Sequence, residues 1–194
     1  MLGPMKPGDH PEFFRFPAPE GRSRESSIRL DPEGRFWHEG NPVEHAKLAQ
    51  AMHGWVNRHP DDGRYILTNG YDWTYFTVED APYFVRSVRI TPDAVVLELS
   101  DGSEEPWDPS ASRIGPNDAI YTRVKAGSER GPFVAKFTRF AQAQLAPVLE
   151  EALDEVATSA TSAASAGGPA ARIGGRVVRI GGSRDSIPPS KCAS

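Results

Sequence analysis

The sequence predicts an α+β protein: a β-hairpin and one helix form an N-terminal unit, and a C-terminal helix closes a β-rich second unit. Three observations lead there. Short runs of alternating apolar and polar residues, the period-2 mark of half-buried strands, recur between Ile28 and Lys125. One longer run, 42–57, repeats its apolar residues at helical spacing instead. Composition dilutes both signals: 38% of the 194 residues are hydrophobic, and Gly and Pro contribute 18 each. A modest core between disordered ends is therefore expected.

The elements follow in chain order. Residues 1–25 mix Pro, Gly and charge and read as a flexible leader. Phe13, Phe14 and Phe16 are its exceptions, either docked on the core or incidental aromatics in a free arm. Ile28-Arg29-Leu30 reads as a strand, Asp31-Pro32-Glu33-Gly34 as a type I turn, and Arg35-Phe36-Trp37-His38 as the returning strand. Asn41 is an expected N-cap with Pro42 at the first helical position, where a missing N–H costs nothing. The helix then runs over 42–57, with Leu48, Met52, Trp55 and Val56 at i, i+4, i+7 and i+8, and Pro60 to Gly63 closes it.

Strands are expected at 64–67, 73–78, 84–90 and 94–99. Val95, Leu97 and Leu99 alternate with Val96 and Glu98. Ser100 to Ser103 makes a hairpin turn towards 104–107, and a loop covers 108–117. Residues 119–125 alternate again, with Ile120, Thr122 and Val124 on one side. A last helix is placed from Pro132 onward with Phe133, Phe137 and Phe140 on one face, and Pro147 should kink it. The units are drawn as 26–67 and 68–157, between the leader and a basic, Ala/Ser/Gly-rich tail at 158–194. Within that tail, 176–180 could still pair as a strand on an exposed sheet edge.

Charge and cysteine usage narrow the function classes. The net charge is −4, but the tail carries five basic side chains against Asp185, which leaves −8 on residues 1–157. An acidic body is a poor partner for duplex nucleic acid, whose phosphates need a basic face. Cys192 is the one cysteine, so neither an internal disulfide nor a cysteine-ligated metal cluster can form. No stretch approaches the roughly 20 apolar residues of a membrane span, and none of signal-peptide length occurs in the leader; a cytoplasmic location is expected.

Three ordered motifs carry a resemblance. Gly34-Arg35-Phe36-Trp37-His38-Glu39-Gly40-Asn41-Pro42-Val43 is followed by Asp61-Asp62-Gly63-Arg64-Tyr65-Ile66-Leu67 and by Val78-Glu79-Asp80-Ala81-Pro82-Tyr83. A looser match runs through Tyr121-Thr122-Arg123 to Phe137-Thr138-Arg139. In these, residues 26–150 resemble the bacterial domain-of-unknown-function family 1285. The resemblance implies a two-unit α+β fold with an internally repeated motif and a second unit similar to pleckstrin-homology-like barrels. It also implies a site between the units for a nucleotide-like ligand, near Trp37, Arg64, Tyr65, Glu79 and Asp80, and a role in signalling. The family's glycine-containing closing segment has no counterpart here, where low-complexity sequence begins at Thr158.

The candidate groups are weighed as follows. His38, His45, His53 and His59 lack the i, i+4 spacing of a zinc helix and read as surface or core histidines. No Gly-x-Ser-x-Gly elbow exists for nucleophilic catalysis. Asp61-Asp62 and Glu79-Asp80 could shift one another's pKa or simply form turns. Trp73, Tyr75 and Phe76 read as packing, since basic residues are not interleaved as in a single-strand binder. Arg64, Arg123, Lys136 and Arg139 could converge on an anion, with Trp37 or Tyr65 as a stacking face, or could pair with nearby carboxylates. The expected function is a non-catalytic module that binds a small nucleotide-like ligand without a cofactor. The alternative is a protein-interaction module that uses a sheet edge, the leader phenylalanines or the Phe-rich last helix. An enzyme with a carboxylate-based site ranks third.

Overall fold

The computed structural model describes residues 5–159, 170–173 and 176–180, and divides into two compact units, 1–82 and 83–194. The first unit holds β1 (Glu25–Leu30), β2 (Phe36–His38), β3 (Asn41–Pro42), α1 (Ala46–Trp55), β4 (Val56–Arg58), β5 (Tyr65–Thr68) and β6 (Trp73–Val78). Its sheet has the order β3-β2-β1-β6-β5-β4. All neighbours are antiparallel except the central pair β1 and β6, which run parallel with Leu30 opposite Val78. β6 is thus integral to the first sheet, so this unit extends beyond the Leu67 boundary drawn from the sequence, to Pro82.

The hairpin of β1 and β2 forms as predicted, with Arg29 opposite Trp37. Gly34 supplies the turn's positive φ of 82°. The helix departs from expectation at both ends. Asn41 and Pro42 form the short strand β3 instead of a cap, and His45 caps α1 by accepting a hydrogen bond from Leu48 N–H on Nδ1. At the other end Val56 and Asn57 leave the helix for β4, because pairing with Leu67 and Ile66 satisfies their backbone groups in the sheet. Phe36, His53, Phe76, Leu30 and Met52 are among the buried side chains of this unit.

The second unit holds β7 (Tyr83–Ile90), β8 (Val95–Leu99), β9 (Glu104–Pro106), β10 (Ser112–Ile114), β11 (Ile120–Val124), β12 (Phe133–Phe137) and α2 (Arg139–Ser159). Its sheet order is β10-β11-β12-β7-β8-β9, again antiparallel except for the central pair, β12 with β7. The two sheets therefore share one topology: three strands wind outward, three wind back, and the sixth lies parallel to the first. This is the internal repeat that the family resemblance implies.

Two sequence expectations are corrected here. Phe133–Phe137 is a strand and not the start of the last helix, which begins at Arg139. Phe133, Ala135 and Phe137 are all buried, the period-2 pattern, and both strand neighbours are filled. The expected loop at 108–117 contains β10, whose Ser112 is opposite Thr122. In the tail, β13 (Ala170–Ile173) and β14 (Arg176–Arg179) pair with each other as an antiparallel hairpin, so 176–180 does contain a strand, but it forms a separate two-stranded sheet with β13 and does not extend the edge of a larger one. The Ala/Ser/Gly-rich stretch at 160–169 and the end at 181–194 lie outside the described residues. Among the described residues, no helix is long and apolar enough to cross a membrane.

Candidate functional site

The apolar stripe of α1 stands over the sheet without closing on it. Leu48, Met52 and Trp55 form one side of an open pocket of about 330 Å³, and Ile28, Leu67 and Thr74 are among the sheet residues opposite. Val43 and Trp73 complete the apolar lining, while His38, Asn69 and Asp72 bring polar groups. The turn between β5 and β6 holds the last two in place. Asn69 Oδ1 accepts the backbone N–H groups of Tyr71 and Asp72 at 2.8 and 2.9 Å. Asp72 Oδ1 accepts from Arg24 at 2.7 Å and from Trp73 N–H at 2.9 Å. Burial pushes the Asp72 carboxyl up, but the Arg24 hydrogen bond, the Trp73 N–H and the cationic charge outweigh it, so Asp72 is held below the usual carboxylate range. The helical stripe was legible in the sequence; that it roofs a pocket was not, because pocket and core produce the same periodicity.

The residues predicted for the site divide between the units. In the first, Trp37 spends its indole N–H on Asp31 at 2.9 Å and carries the Arg29 guanidinium 4.5 Å from its ring. Arg29 in turn reaches Glu79 at 2.8 Å. Arg64 grips both carboxylate oxygens of Glu25, at 2.7 and 2.8 Å, and lies 3.8 Å from the centroid of Tyr75. The Arg64 hydrogen bond holds the Glu25 carboxyl low, against the opposing pull of burial. Tyr75 donates its hydroxyl to Asp62 at 2.8 Å, and burial with that carboxylate raises its pKa to about 12.

Tyr65 is the predicted partner that does not join Arg64. It follows the alternation of β5 to the face opposite Ile66, where its ring lies 6.4 Å from Phe76 and 5.4 Å from the Arg58 guanidinium. The ring under Arg64 is Tyr75, which the sequence reading assigned to packing. Asp80 sits half-buried between β6 and β7.

In the second unit, Arg123 (β11) and Lys136 (β12) share one face of the sheet, since Tyr121 is opposite Lys136 and Arg123 opposite Val134. Arg113, opposite Tyr121, joins them with its guanidinium 4.4 Å from the tyrosine ring. Sequence reasoning missed Arg113 because β10 was taken for loop. Arg139 is exposed at the first position of α2.

The histidines have separate roles. His45 caps α1, His38 lines the pocket, and His53 is buried 4.8 Å from Phe36. His59 is buried beside Trp73 and Tyr75. Among the described residues, no group of three His, Cys, Asp or Glu side chains is placed to hold a metal ion.

Taken together, the chain is a two-unit α+β protein with one sheet topology used twice and an apolar pocket under its first helix. No protein-family model and no curated protein matches it. Among solved structures, it is similar to a DUF1285 family protein from Silicibacter pomeroyi DSS-3, with a TM-score of 0.57 at 14% identity, covering 87% of this chain and 92% of that one. A DUF1285 family protein from Shewanella baltica OS155 matches with a TM-score of 0.46 at 20% identity, over 60% of this chain and 87% of its own. The fold is DUF1285-like.

Proposed function

We propose that the protein is a non-catalytic small-ligand-binding module with a regulatory role, and that the ligand occupies the pocket beneath α1. One observation carries the reading: Leu48, Met52 and Trp55, a single helical stripe, face an open space of about 330 Å³ where a core would normally be filled. A space of that order with apolar walls and a few polar groups is the common form of a small-molecule site.

The lining also selects among ligands. Its walls suit a flat ring, and Asn69, Asp72 and His38 can meet ring nitrogens or an exocyclic amine. Among the described residues no Lys or Arg lines it, and the Arg24 guanidinium at its rim is already taken up by the Asp72 carboxylate at 2.7 Å, so a phosphate there would meet no lining cation. Of a nucleotide-like ligand, the pocket suits the base. A phosphate clamp built on Arg64 would first have to break its fork on Glu25.

The test is a thermal-shift titration of the full chain with indole, adenine and adenosine monophosphate. Indole or adenine should raise Tm, since ligand at about 100 times its Kd adds roughly 2.7 kcal/mol. Leu48→Glu should abolish the shift, while Arg64→Ala should retain it. A shift produced by the monophosphate alone and lost in Arg64→Ala would replace the pocket with the arginine clamp. No shift with any of the three would overturn the small-ligand reading.

The protein-interaction alternative loses one support and keeps another. Phe133 and Phe137 are buried strand residues, so a Phe-rich helix face is not available for docking. The leader phenylalanines are another matter.

A further inference from the structure

The residues before β1 cross the first sheet instead of trailing from it. Pro7–Asp9 and Pro11–Arg15 form two 3-10 turns, each with proline at its start. At the end of the second turn, three features of the chain are read by three different groups of the first unit.

Phe14 is the first. It is 2% exposed and packs with Ile66 and Trp73, and Phe13 and Tyr75 lie against this cluster. The ring meets Trp73 at 6.0 Å and His59 edge-on at 6.2 Å. The second feature is the Phe14 carbonyl, 3.1 Å from His59 Nε2. His59 Nδ1 accepts the Asp61 N–H at 3.3 Å, so Nε2 carries the ring proton and donates it to that carbonyl. The third is Arg15, whose Nε and terminal nitrogen fork onto the two carboxylate oxygens of Asp61 at 3.0 and 2.9 Å.

Further contacts seat the rest of the leader. Gly8 N–H donates to Gly70 O at 2.8 Å, and a Cβ on Gly8 would lie 2.8 Å from Gly70 Cα, so only glycine fits. Arg24 links the end of the leader to the sheet through Trp73 O at 2.8 Å.

We propose that this face of the first sheet is a peptide-recognition cleft for an aromatic–arginine pair, and that the leader is its resident ligand, held in cis. Trp73, Ile66 and Tyr75 take the aromatic ring, His59 takes the backbone carbonyl after it, and Asp61 takes the guanidinium. The occupant in trans is a segment of the same chemistry, phenylalanine followed by arginine, from a partner protein. A tethered segment competes at millimolar effective concentration, so the cleft opens to such a partner only when the leader is weakened.

The experiment uses the full chain and a fluorescein-labelled peptide of residues 10–17, followed by anisotropy. Arg15→Asp weakens the leader at a pair that is 57% and 44% exposed, so the fold is retained. In that variant trypsin should cut at Arg22 and Arg24 faster than in the wild type, and the peptide should bind at least tenfold tighter. Phe→Ala at the position of Phe14 in the peptide should abolish binding. A chain carrying Arg15→Asp and Asp61→Arg should close again and exclude the wild-type peptide. Equal binding to wild-type and Arg15→Asp chains, no binding to either, or an unchanged trypsin pattern would each overturn the proposal. Since the peptide is read directly, the result is independent of whether the pocket under α1 takes a small ligand.

Discussion

Asp31 shows how much one turn residue can carry. It is buried, and its carboxylate accepts four hydrogen bonds: from Glu33 N–H at 3.0 Å, Arg35 N–H at 2.8 Å, Arg35 Nε at 2.9 Å and Trp37 Nε1 at 2.9 Å. Burial alone would raise its pKa, but the hydrogen bonds from Arg35 and Trp37 and the guanidinium charge reverse this and hold it below the ordinary value. A carboxyl whose folded pKa is depressed adds stability above its unfolded value of about 3.9, and that stability is lost as the pH falls through the folded pKa. Asp31→Asn should therefore cost about 1–3 kcal/mol at pH 7. Thermal melts at falling pH should show the gap to wild type closing below about pH 4. At this scale the sequence identified turn chemistry and chose Trp37 and Arg64 as notable residues. Their partners were hidden, because Arg64 meets Glu25 and Tyr75 across the sheet, through pairing that no local pattern encodes.

Elements were legible where periodicity was unambiguous. The strand at 95–99 carries clean alternation, and both it and the strand at 73–78 formed within a residue of expectation. Phe133 and Phe137 were ambiguous, since a spacing of four satisfies both the helical period and two strand repeats. The parallel partner of β12 is β7, with Ala135 opposite Tyr83 some 52 residues earlier, and that pairing decides the outcome. The distinction predicts unequal substitutions. Phe137→Ala, at a position 1% exposed, should cost about 3–5 kcal/mol. Phe140→Ala, at the second position of α2 and 63% exposed, should stay within about 0.5 kcal/mol. Urea denaturation of the two variants measures both, and similar losses would mean that Phe140 is buried after all. The same logic explains α1: Asn41-Pro42 has the chemistry of a helix start, but His45 supplies the cap because β3 takes those two residues into the sheet.

For the whole molecule, charge and topology were legible to different depths. The acidic body of residues 1–157 predicts no stable duplex complex, since non-specific binding at physiological salt rests on phosphate neutralisation and reaches only about 10⁻⁴–10⁻⁶ M even for basic proteins. A gel shift with a 30-base-pair duplex at about micromolar protein should show free DNA. A retarded band that weakens with salt would assign binding to the basic residues of the tail. The doubling of one sheet topology was implied by the family resemblance and by nothing in the local patterns. Its defining feature, a sixth strand returning beside the first, spans each unit from end to end. The pocket was hidden for a related reason: it is a place where helix and sheet do not meet, and a sequence records which faces are apolar, not how closely they approach.

That returning strand also has a mechanical meaning. In each sheet the chain enters along one central strand and leaves along its parallel neighbour, β1 beside β6 and β7 beside β12. A force drawing the two ends of a sheet apart would slide these strands lengthwise past each other. The hydrogen bonds between them would then bear the load together, in shear, and would not open one after another like a zip. Along its sequence the protein is a pair of such clamps in series, suited to staying folded under tension.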